Sequence, residues 1–191
     1  MVLTLTSCED KNQDLIDKYF FASETNTGSN QPSIKVGDSY QGGKLAYIFQ
    51  SGDNGFTDGT VHGIIAANSD LSTTYTWYNG TNLTTNATLT FIGSASDNSY
   101  QIYEQQGTGN YAASMCLSYE SGGYSDWFLP TINELQILYN NRTVIGGFIP
   151  YSYWSSTEVA NNTANGIHFG TGTTYGYNKN GKASIRPIRY F

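Results

Sequence analysis

The chain has 191 residues, only 13% of them charged, with 21 glycines, 16 tyrosines and a formal net charge of −6. That size suits one domain with a tail, and the polar, Gly- and Tyr-rich texture reads as a turn- and strand-rich extracellular protein rather than a helical bundle. Nine Lys and Arg scattered without a basic run argue against nucleic acid as a partner, two cysteines exclude a disulfide framework or a four-cysteine zinc site, and no stretch approaches the ~20 apolar residues of a membrane span.

The first residues read "MVLTLTSCED". Leu5, Thr6 and Ser7 before Cys8 form a lipobox pattern: an apolar residue at −3, small residues beside the scissile bond and a thiol to take the lipid. Residues 1–8 therefore read as the remnant of a lipoprotein signal peptide, shorter than a whole one and without its basic start. Cys8 is the expected lipidation site, and the lipid anchor is the expected membrane contact. Residues 9–33 follow as a polar tether ending in "SETNTGSNQPS", with "LIDKYFFA" inside it as a short helix or docking segment.

The globular part is expected over 34–191. Apolar runs at 45–49 and 61–67 read as strands. Gly42 and Gly43 predict a tight turn or a close backbone approach. The loop at 51–60 holds Asp53, Asn54 and Asp58, which are weak calcium candidates. Calcium takes six to eight oxygens, and this loop lacks an EF-hand pattern, so the reading is of a turn with no metal. Residues 72–90, around Trp77, read as a long loop or a ragged hairpin.

Helices are expected at 99–106 and 111–119. Ala112, Met115, Cys116 and Tyr119 share one apolar face of the second, which makes Cys116 a buried hydrophobe. "DWFLPTINELQILYNN" then carries a capping box of Thr131 and Glu134, with Pro130 just before it. Glu134 is explained by capping and Asp126 by backbone amides before the proline. Trp127, Leu129, Pro130, Thr131, Glu134, Leu135, Leu138 and Trp154 form the expected structural framework. "YWSSTE" leads to a polar loop at 159–166, then strands in "GIHFGTG", "TTYGYN" and "KASIRPIRYF". Asn180-Gly181 signals a hairpin turn, and Pro187 an edge strand or bulge.

"GDSYQGGKLAYIF", "HGIIAA", "AASMCLSY", "DWFLPTINELQILYNN", "YWSSTE" and "IRPIRYF" together resemble the Legionella collagen-like protein C-terminal domain family. The resemblance covers residues 36–191. It implies an α+β, variant C-type lectin-like fold, in which two short helices pack on small, mostly antiparallel sheets with long loops on one side. It also implies a bacterial envelope setting, lipid-anchored at the outer membrane or cell surface, and an adhesin-like role, since the family's best-known member binds sulfated polysaccharides.

The expected function is non-catalytic recognition of a glycan or a cell-surface protein, with no cofactor. A structural or assembly subunit of a surface complex is the alternative, and a hydrolytic enzyme built on Asp126, Glu134 or Glu158 is the weakest reading. The Glu-Pro-Asn, Gln-Pro-Asp and Trp-Asn-Asp triplets of calcium-dependent lectins are absent. Tyr175 and Tyr177 share a strand face that can stack a sugar, with Asn178, Lys179 and Lys182 beside them as the expected binding group. The two lysines would offset the acidic whole locally.

Overall fold

The computed structural model describes residues 34–71 and 74–191. Cys8, the 9–33 tether and its "LIDKYFFA" segment lie outside the described residues. At the first turn, Gly42 has φ +86°, and a side chain there would sit 2.5 Å from the Ser121 carbonyl oxygen. The Cβ of any residue at Gly43 would lie 2.2 Å from the Ala66 carbonyl oxygen, so turn and close approach both demand glycine.

This turn joins β1 (Ser39–Tyr40) to β2 (Gly43–Ile48), which pairs with β3 (Gly63–Ala66). The last strand, β7 (Ile188–Tyr190), closes an antiparallel sheet ordered β1-β2-β3-β7. Pro187 immediately precedes this edge strand, where its missing N–H breaks no ladder. A second antiparallel sheet is formed by β4 (Ser152–Ala160), β5 (Thr163–His168) and β6 (Thr173–Asn178), in that order. Val36–Phe191 forms one compact unit.

Four helices occur among the described residues, where the resemblance implied two: α1 (Ala95–Gln106), α2 (Ala112–Leu117), α3 (Ile132–Asn140) and α4 (Arg142–Ile145). The fold is α+β, with short helices and two small antiparallel sheets. The buried positions of α1 are Ala95, Asn98, Ser99, Ile102 and Gln106, a helical stripe that is mostly polar. Its polar groups are satisfied by the neighbouring backbone: the Asn98 side chain bonds both N–H and C=O of Leu89, and the Ser99 hydroxyl accepts the Leu129 N–H.

α3 begins with the capping box. The Thr131 hydroxyl accepts the Glu134 N–H, and the Glu134 carboxylate accepts the Thr131 N–H. That carboxylate is fully buried and also accepts the Gly93 N–H and the Tyr190 hydroxyl. Burial raises its pKa, against the pull of these donors. Leu135 and Leu138 enter a core with Phe49, Tyr153, Phe169 and Ile188, while Leu129 and Trp154 pack with Trp77, Cys116 and Ile185. The indole N–H groups of Trp77, Trp127 and Trp154 donate to the Ser155, Tyr124 and Tyr75 carbonyls. Pro130 is buried, and its carbonyl accepts the Ser156 N–H.

Among the described residues, ion pairs of Arg186, Arg189 and Lys179 tie distant segments. Arg186 binds Asp70 and lies over the Phe148 ring. Arg189 grips both oxygens of Asp126, so the carboxylate's main partner is an arginine that the sequence reading did not name, beside a backbone amide of its own segment. Lys179, fully buried over the Trp77 ring, pairs with Glu158. Glu158 in turn accepts the Thr85 and Asn86 N–H groups.

Thr131→Ala should lower stability by about 1 kcal/mol in urea unfolding, since the Glu134 amide loses its side-chain acceptor. Glu158→Ala should cost about 3–5 kcal/mol, because it strands a buried ammonium and two amides. A loss under about 1 kcal/mol would mean that Lys179 reaches water when its partner is removed.

Candidate functional site

The residues grouped by sequence separate in the structure. Tyr175 stands exposed on β6, edge-to-face with Tyr177 at 5.6 Å between ring centres. Tyr177 is half-buried: its ring meets Trp154 at 5.6 Å, and its hydroxyl bonds Ser152. Asn178 is exposed, and its carbonyl accepts the Gly181 N–H. Lys179 is withdrawn from this group. Its ammonium lies inside the protein on Glu158 and the Leu83 carbonyl, so it offers no charge to a surface ligand. Burial lowers its pKa, and the Glu158 contact pulls the other way. Lys182 is exposed and stands apart from the ion pairs of Lys179, Arg186 and Arg189.

The turn at 178–181 also departs from the expected hairpin. Neither Asn180 nor Gly181 has positive φ, the signature of the tight hairpin turn that Asn-Gly favours. The chain instead leaves β6, and Ala183 bridges to Tyr75 through two backbone hydrogen bonds. That bridge sets Lys182 beside Tyr75. One residue on, the Thr76 carbonyl accepts the Ala112 N–H and draws in the start of α2.

Between these three segments lies a cavity of about 400 Å³, lined by Thr74, Tyr75, Thr76, Asn110, Met115 and Lys182. It is an open groove in which hydroxyls, an amide and one cation stand beside a phenol ring and a thioether. Sequence placed only Lys182 at a ligand. The signal for the remainder was weak: a Thr/Tyr cluster before Trp77, and Met115 on a helix face read as core.

The other expected loops are more structured than their composition suggested. The polar stretch at 159–166 is mostly hairpin, with β4 running to Ala160 and β5 starting at Thr163. In the 51–60 loop the Asp53 carboxylate accepts the Gln50 N–H, and the Asn54 amide donates to the Gly93 carbonyl, while Asp58 is exposed. Among the described residues no three His, Cys, Asp or Glu side chains gather as a metal site. Asp126, Glu134 and Glu158 are each engaged by an arginine, a helix cap or a lysine. Cys116 is buried, and burial raises its thiol pKa well above the ordinary value.

Among curated proteins, none matches this chain. Among solved structures, a fimbrial protein from Bacteroides ovatus ATCC 8483 is similar at 13% identity and a TM-score of 0.45, over 67% of this chain and 35% of that one. The chain thus spans about a third of that protein's length. The Lcl C-terminal domain matches residues 66–189, from the last residue of β3 into β7, and on that match the chain belongs to the Lcl C-terminal domain family.

Proposed function

We propose that this is a cell-surface, adhesin-like domain that binds a glycan in the groove between Tyr75, Met115 and Lys182. The observation that carries the reading is the groove's mixed lining. A sugar ring has an apolar face for Tyr75 or Met115 and hydroxyls for Thr74, Thr76 and Asn110. Lys182 adds a cation that favours a ligand with an acidic substituent, within a chain of net charge −6. Family membership supports the surface setting. Engagement of Asp126, Glu134 and Glu158 in structural contacts supports binding without catalysis.

A glycan array probed with the full chain tests the reading, followed by titration of the best ligand. Lys182→Ala and Tyr75→Ala should each weaken binding by more than about tenfold, a loss of about 1.4 kcal/mol, with circular dichroism unchanged. If Tyr175→Ala weakens binding while Lys182→Ala does not, the ligand sits on the β6 face and the groove is refuted. An array with no binding above background refutes the glycan itself.

The same reading places the domain on a lipid anchor at Cys8, at the outer membrane or cell surface. Expressed from its native gene, the protein should be labelled by an alkyne fatty acid, and the Cys8→Ser variant should not. Equal labelling of the two would remove the anchor from the proposal.

A further inference from the structure

The two sheets have four edges; the fold covers two of them and keeps a third very short. At β4, the strand's outer groups bond Ser184, Pro130 and Ala87. At β7, Phe128 and Ile188 exchange two backbone hydrogen bonds. β1 is two residues long. β6 is the exception: six residues, paired with β5 in unbroken register on one side. Its sequence, TTYGYN, has none of the charges, prolines or bulges that guard natural edges.

The backbone direction of β6 follows from its end. The Lys179 N–H donates to the Asn162 carbonyl, on the β5 side. By strand alternation, Thr173, Tyr175 and Tyr177 turn their backbone groups to β5, and Thr174, Gly176 and Asn178 turn theirs outward. Among the described residues, one backbone hydrogen bond falls on that outer side, from the Gly181 N–H to the Asn178 carbonyl, which keeps a second lone pair.

We propose that β6 is a homodimerisation edge, pairing antiparallel with β6 of a second copy about a two-fold axis at Gly176. This register sets Gly176 against the partner's Gly176 and Thr174 against the partner's Asn178, so the outward N–H and C=O groups meet. It also sets Tyr175, 47% exposed, across from the partner's Tyr177, a cross-strand aromatic pair.

A second copy is the occupant because the edge is complementary to itself. The strand is uncharged, so two chains of net charge −6 approach there without like charges in contact. At Gly176 nothing lies within 4 Å of where a Cβ would stand, which leaves the centre of the pair open. A surface carrying such pairs would present its ligand grooves in twos, adding avidity without new contacts. The inference does not depend on the ligand of the groove.

Sedimentation equilibrium on the full chain, from about 10 μM to about 1 mM, covers the range in which a small interface associates. The wild type should show a reversible monomer–dimer equilibrium, with β6 amides exchanging more slowly as concentration rises. Gly176→Lys has room in the monomer but sets two cations face to face in the dimer. Gly176→Pro removes an outward N–H that β5 does not use. Each should raise the dimer dissociation constant more than about tenfold with the circular dichroism spectrum unchanged. A wild type that stays monomeric throughout, or a dimer equally tight in both variants, overturns the proposal.

Discussion

The fold turns on one buried carboxylate. Glu134 sits at the start of α3 and takes hydrogen bonds from Thr131 in its own helix, from Gly93 ahead of α1, and from the hydroxyl of Tyr190 in β7. A fully buried charge is costly unless several donors surround it, and here they come from three distant parts of the chain. The Tyr190 hydroxyl in turn accepts the Ala95 N–H, so the first amide of α1 is satisfied by the same cluster. With α3 fixed, the Pro130 carbonyl meets β4 at Ser156, and the two sheets acquire a common reference.

A second buried charge performs the same service nearer the groove. Lys179 and Glu158 neutralise each other inside the protein, and their remaining bonds hold residues 83–86, a stretch with no regular structure of its own. Lys179 also caps the face of Trp77, and its backbone carbonyl accepts the Trp77 N–H. Trp77 lies directly after Thr74, Tyr75 and Thr76, which line the groove. The ion pair thus acts on the groove at one remove, by fixing the residue from which its wall extends.

What the sequence revealed depended on how local each cause was. The capping box was legible because Thr131 and Glu134 lie in one turn, and Gly42-Gly43 because glycine alone tolerates that backbone. α1 was legible only in part, since its buried stripe is polar and is satisfied by Leu89 and Leu129 rather than by apolar contact. Lys179 was misplaced for a related reason: its charge is written in the sequence, but the carboxylate that draws it inward is 21 residues away. The stretch at 159–166 looked like a loop because a ladder of backbone bonds does not require apolar side chains. The groove draws on three separate segments, so no single stretch announced it.

Charge is scarce in this chain, and the framework uses much of it. Asp70, Asp126 and Glu158 are paired with Arg186, Arg189 and Lys179, while Glu134 is enclosed by donors. The groove lining and β6 themselves carry hydroxyls, amides, phenol rings, a thioether, backbone edges and a single charge, Lys182. Those groups make many weak, directional contacts rather than a few strong ones. Such a surface suits ligands that present repeated hydroxyls or an extended backbone, and for both kinds affinity comes from engaging several copies at once. The charge engaged in the framework therefore fits the proposal drawn from the open strand, in which two copies side by side would present their grooves together.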